Sequence, residues 1–229
     1  MATSPSVSYK DKRLLNLKSA EDMVTVLKDK GRGLASFKKG DTIHVWNRSE
    51  KDYSYVLAEN PGSAFAEGFE PFLSPGEILA MGAFGGKYLN DCILEFPAEW
   101  FLKAALLGKL CPLEQDISVN YFQIDSRLPL SEWRKAGWIP SRGIPRGKML
   151  EGKRAVLSSA SANPDERGWF QWYCRYWMGR RIPELDAVQI QRWKNFRRHY
   201  GAVKKACHGD TTCRPRQRQA LLHWAWDFT

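Results

Sequence analysis

Lys87 and Asp91 stand four residues apart in GGKYLNDCILEFPAEWFLKAALLGK, directly after Gly85 and Gly86. If helicity resumes at Lys87, the two side chains share one face, beside a glycine pair that would let a ligand approach the backbone. An amine next to a carboxylate can serve as nucleophile and acid/base partner when a pocket perturbs their ionisation; the bland alternative is an exposed ion pair at helical spacing. The pair Lys87 and Asp91 is therefore the candidate catalytic set.

A second candidate is the run NPDERGWFQWYCRYWMGRR over 163–181, continued by IPELDAVQIQRWKNFRR to 198. It concentrates tryptophan, tyrosine and arginine beyond what an ordinary core needs. With Asn163 as cap, Pro164 at the first position and Asp165 and Glu166 in the first turn, a helix is expected to begin here. Its spacing gives one face built to pack and another available to bind. For nucleic acid, Arg175, Arg180, Arg181, Arg197 and Arg198 are the candidate phosphate anchors, with Gln171 beside them and Trp172, Tyr173 or Trp177 as the rings that stack on a base.

The chemistry needs a frame. Ser19–Lys30 reads as a short helix after a polar arm, and Thr42–Trp46 and Tyr53–Ala58 as a small hairpin forming a structural lid. The segment ENPGSAFAEGFEPFLSP is an ordered connector, and Ser74, Pro75 and Glu77 form a capping-box start to the next helix. A further helix is expected with its cap near Ser131, another over roughly 183–205, and a last one over about 214–226 that closes the core. The stretch PSRGIPRGKMLEGKRAVLSSASAN reads as a flexible basic surface loop. The fold class is thus mainly α: a compact helical domain with a small N-terminal β-hairpin. Residues 1–70 hold the arm, short helix and hairpin, and residues 71–229 hold the helical core, with the basic loop at about 140–162.

The net charge of +10 predicts attraction to polyanions, nucleic acid being the usual partner of a soluble chain of this kind. From Asn163 to Thr229, thirteen Lys/Arg stand against six Asp/Glu, and six of the ten tryptophans lie there too. No apolar run approaches a membrane span and no signal core is visible, so an intracellular location, cytoplasmic or nuclear, is expected. Five cysteines suit a reducing compartment. Cys207 and Cys213, near His199, His208 and His223, match no standard zinc spacing, and packed thiols or a redox-labile pair are the better reading. No phosphate loop, dinucleotide fingerprint, nucleophile elbow or deaminase signature occurs, and neither metal nor cofactor is expected.

The blocks SPGEILAMGAFGGKYLNDC, NYFQIDSRLPLSEWRKAGWI, DERGWFQWYCRYWMGRR and CRPRQRQALLHWAWD resemble a family of mostly uncharacterised proteins of fungi, phages and their hosts. The resemblance covers about the last two thirds of the chain. It implies a helical protein similar to glycosylase-like enzymes of DNA base-modification systems. Two departures stand out: a longer basic insertion at 140–162, and no Leu-Pro-Gly-Val-Gly hairpin of the standard helix-hairpin-helix glycosylases. The expectation is a DNA-binding enzyme acting on a nucleobase, normal or modified, with a non-catalytic DNA-binding protein as the alternative and a protein-interaction scaffold third.

Overall fold

The computed structural model describes residues 10–50, 53–140 and 151–229. Among them are nine α-helices and one two-stranded antiparallel hairpin, so the chain is mainly helical. Helix α1 (Ala20–Lys30) starts where Ser19 accepts from the Asp22 backbone and Asp22 accepts in return. The hairpin, β1 (Thr42–Val45) and β2 (Tyr53–Val56), pairs Ile43 with Tyr55 and Val45 with Tyr53. Ile43, Val45 and Tyr55 point into the core, while Thr42, His44, Ser54 and Val56 face solvent, the alternation expected of a sheet with one covered face. Helix α2 (Pro75–Ala80) has the expected Ser74/Glu77 capping box with Pro75 in the first turn.

Helix α3 (Ala98–Leu106) packs on α1 and α2; α4 (Leu130–Lys135) and α5 (Lys153–Ser158) are short. Then follow α6 (Trp169–Trp177), α7 (Pro183–Asn195), α8 (Arg197–Cys207) and α9 (Pro215–His223). One hydrophobic cluster runs from Leu14 near the start to Phe228 near the end. At its centre Phe69, in the Gly/Pro-rich connector, meets the rings of Trp172, Tyr173, Tyr176 and Trp193.

Several local expectations fail for identifiable reasons. No helix starts at Asn163: its amide accepts from Asp165 N and donates to the Leu157 carbonyl, making a turn, and α6 begins only after Gly168, whose φ is +88°. Serine 131 does not cap α4, which follows Pro129 without a side-chain cap. The helix expected over 183–205 is two helices that meet at Phe196. Part of the basic loop is ordered, since α5 buries Leu157; residues 141–150 of that loop lie outside the described residues. The polar arm is not wholly free either. Leu14, in a 3₁₀ turn over Lys12–Leu15, is buried.

Candidate functional site

Helix α6 offers no exposed face for a nucleic-acid backbone. Every residue from Trp169 to Tyr176 is buried, so the five candidate DNA contacts Gln171, Trp172, Tyr173, Arg175 and, just beyond, Arg180 belong to the interior. Arg175 donates to Glu50 through Nη1 and Nη2 at 2.9 and 3.0 Å, to Glu95 through Nε at 2.6 Å, and to Asp165 at 2.9 Å. Arg180 clasps Asp165 at 2.8 and 2.6 Å. Burial works against the Asp165 charge, but the two guanidiniums outweigh it and hold this carboxyl below its ordinary value. For Glu95 burial wins and its pKa is raised. A guanidinium buried and committed to carboxylates in this way is not available to a phosphate.

The remaining candidates of this block are equally committed. Gln171 accepts from Arg167 N and donates to Glu50; Trp172 donates to Asp186; Tyr173 donates to the Leu73 carbonyl. Trp177 is partly buried, edge-on to Trp100. Arg181 lies 3.9 Å over the Tyr176 ring and donates to the carbonyls of Tyr176, Arg180, Ser63 and Ala64. Only Arg197 and Arg198, on α8, are exposed.

The expected helical pair at Lys87 and Asp91 does not form. The chain turns through short 3₁₀ segments, with Leu89 left-handed at φ +62°, so the i,i+4 geometry is lost. Nor do the glycines open the backbone to a ligand. A Cβ on Gly85 would lie 2.2 Å from Gln115 Cγ and one on Gly86 2.7 Å from Cys111 N, because residues 109–116 pack against them. Lys87 is exposed and donates to the Leu113 carbonyl. Asp91 accepts from both Arg167 nitrogens, at 2.7 and 2.9 Å, and from Arg48 N at 3.1 Å. Burial opposes its charge, yet Arg167 and the Arg48 amide keep the carboxyl below its usual range.

Lys87 and Asp91 nevertheless line one cleft, with a cavity volume of about 370 Å³. Arg48, Arg127, Arg167 and Asp125 complete its charged wall, giving four cations against two carboxylates. Asn90, also in the wall, keeps Oδ1 buried without a hydrogen-bond partner. Tyr88, Arg127, Leu130 and Arg167 belong at once to this cleft and to a second recess of about 100 Å³, so the two adjoin.

The recess is aromatic. Its lining includes Phe84, Tyr88, Trp133, Trp169, Phe170 and Trp224, and His223 stacks on Phe84 with centroids 4.1 Å apart. His223 Nε2 receives the Phe84 amide at 3.2 Å and lies 3.1 Å from the Gln219 amide nitrogen, whose own oxygen accepts from Phe122 N. Nε2 is therefore the acceptor, and Nδ1 carries the proton that faces Ser126 Oγ at 3.2 Å. Burial, aided by Arg127, pushes this imidazole down to about 3. Such a tautomer cannot act as a base toward Ser126, which removes a serine–histidine nucleophile from consideration.

Two guanidiniums at the recess have no carboxylate partner among the described residues. Arg127 donates to the Gln115 amide and approaches the Phe84 ring at 5.6 Å. Arg192, on α7, is sandwiched between Trp138 at 4.8 Å and Trp224 at 5.3 Å and donates to Gln189. Burial pulls Arg192 down to about 10, with no anion to offset it. Neither spacing nor composition singles out Arg48, Asp125, Ser126, Arg127 or Arg167 for this site. The one available signal was the DSRLP segment preceding Trp133.

Cys207 and Cys213 are joined by a disulfide, and among the described residues no group of three or more His, Cys, Asp or Glu is arranged to hold a metal ion. No helix among them is long and apolar enough to cross a membrane. No protein family, curated protein or solved structure matches this chain. The functional reading therefore rests on the geometry.

Proposed function

We propose that the protein binds DNA through the composite cleft, taking the sugar–phosphate backbone along the cationic wall and one nucleotide's ring into the aromatic recess. The observation that supports this most directly is that the two spaces adjoin, with Tyr88, Arg127 and Arg167 in the lining of both. An anionic ligand suits the first and a flat ring suits the second, and a nucleotide supplies both in one unit. Lys87, Arg48 and Arg127 are the phosphate contacts in this reading. Arg197 and Arg198 extend the cationic surface on α8, outside both linings.

The test is fluorescence anisotropy with labelled single- and double-stranded oligonucleotides over a series of salt concentrations. For a single strand, affinity is expected to fall by about 0.7 log units per decade of salt for each phosphate contacted. Lys87→Ala should flatten that slope by about one contact, whereas Arg216→Ala, on α9 and outside both linings, should not. Binding that ignores salt, or no binding at all, sinks the proposal.

A catalytic extension, in line with the glycosylase-like resemblance, has one supporting observation: Asp91 lines the cleft with its pKa held down, and a carboxylate there would stabilise positive charge developing at the sugar C1′ of a held nucleotide. Arg167 offsets much of that charge, and exposed Lys87 lacks the burial that makes a lysine a good nucleophile. Binding is accordingly the main reading. Mass spectrometry of bases released from modified and unmodified DNA, with Asp91→Asn as control, separates the two.

A further inference from the structure

The charged groups that line the recess, Arg127, Arg167 and Arg192, are all donors. Among its lining side chains there is no carboxylate and no amide. Tyr88 spends its hydroxyl proton on the Arg167 carbonyl, and His223 Nε2 already has its donors. Ser126 accepts from His223 Nδ1, which leaves its own hydroxyl proton free to donate inward. Arg127 and Arg192 each use little of their five-donor fork within the protein, and neither guanidinium is paired with a carboxylate among the described residues. Arg192 is also partly desolvated between two indole faces, where its charge has only rings and one amide oxygen for company.

We infer that the recess selects a nucleobase whose reading edge carries acceptors, a keto base and guanine above all, and rejects adenine. The inference rests on the proposed DNA reading for the source of the ligand and deepens it by naming the base class. A guanidinium fork matches the paired O6 and N7 acceptors of guanine, and the aromatic walls supply the stacking. Adenine presents an exocyclic amino donor at the same place. In a recess whose charged groups are all donors and whose side chains include no carboxylate or amide, that group faces guanidiniums where it needs an acceptor, and a poorly paired buried donor is penalised. The ring, not the phosphate, is assigned to the recess because its walls are aromatic while the adjoining cleft carries Arg48 and Lys87.

Two experiments on the full chain test this and separate it from the DNA reading. In the first, saturation-transfer NMR is run with inosine monophosphate, guanosine monophosphate and adenosine monophosphate, and with inorganic phosphate as competitor. The keto purines should receive saturation and the adenine ring should not; equal transfer to all three rings, or complete displacement by phosphate, overturns the inference in favour of an unselective or a simple anion site. In the second, single strands of abasic units carry one guanine, hypoxanthine or adenine. Guanine and hypoxanthine should bind about tenfold or more tighter than adenine. Arg192→Lys, which keeps the charge and loses the fork, should erase the preference while leaving binding of the wholly abasic strand unchanged; if that variant does not fold, a strand carrying 7-deazaguanine, which lacks the N7 acceptor, should lose the preference on the unaltered protein, and an undiminished preference would overturn the inference. Selective NMR transfer without any strand binding would refute the DNA reading alone. Equal strand binding for the three bases would refute the base selectivity alone.

Discussion

Arg175 shows how a single residue can look like a ligand contact and be a keystone. It joins Glu50 in the hairpin turn, Glu95 in the 3₁₀ segment before α3, and Asp165 before α6, and removing it would leave buried carboxylates without their cation. Arg175→Met is therefore expected to lower the unfolding free energy by about 3–5 kcal/mol in urea titrations, whereas exposed Arg197→Met should change it by less than about 0.5 kcal/mol. Equal effects would contradict the burial described. His223 makes a second residue-level prediction. Its folded value of about 3 lies below the 6.5 of a free imidazole, so the unfolded chain binds the extra proton in that window. Stability from this group is complete above the unfolded value and is lost as pH falls, by up to about 1.4 kcal/mol per pH unit. His223→Gln should remove that slope between the two values whatever its effect on absolute stability, as measured by thermal or urea unfolding at several pH values.

At the scale of elements, α6 is positioned by what precedes it. Gly168 at φ +88° redirects the chain out of the Asp165 turn into the helix, with Ile139 Cγ2 only 3.1 Å from where a Cβ would be. Gly168→Ala is expected to destabilise by about 1–2 kcal/mol and to disturb ligand binding, since Gly168 also lines the recess. Unchanged stability would mean the left-handed turn is not needed. The loop between α8 and α9 is fastened twice. The Cys207–Cys213 disulfide closes it, and buried Arg218 donates to the carbonyls of Cys213, Asp210 and Phe228. For so short a loop the crosslink is worth about 2 kcal/mol through the unfolded chain. Mild reduction should lower stability by that amount and leave the helical circular dichroism intact, because Arg218 still holds the segment; loss of helicity on reduction would count against that role.

For the whole molecule, the charge of +10 does not spread over α6 as its composition suggests. Arg175 on α6 and Arg180 just beyond it are absorbed by buried carboxylates, whereas Arg48, Lys87 and Arg127 line the cleft and Arg197 and Arg198 are exposed on α8. Lowering pH should weaken the fold through the ion lattice as well as through His223. Asp165 and Asp91 have folded values below their ordinary ones, so the stability they give is present above the unfolded carboxylate range and is lost as pH falls through the folded values. Glu95, raised by burial, works in the opposite sense and offsets part of that loss.

Much of this was legible in the chain by itself. Capping boxes at Ser19 and Ser74, the alternation of the hairpin and the apolar periods of the later helices are local patterns, set by neighbours within one or two turns. Composition likewise exposed the excess of positive charge. Which face of α6 meets water was not decided locally, because the partners of Arg175 lie 80 and 125 residues away and a charged helix position reads as solvated until its counter-charges are seen. The same holds for Lys87 and Asp91. Their spacing implied a pair, but the backbone follows the packing of residues 109–116 against Gly85 and Gly86, and Arg167, 76 residues on, takes the carboxylate. Tertiary packing alone brought Arg127, Arg192 and the recess rings together, since stacking and charge compensation act through space between segments whose order along the chain carries no record of their contact.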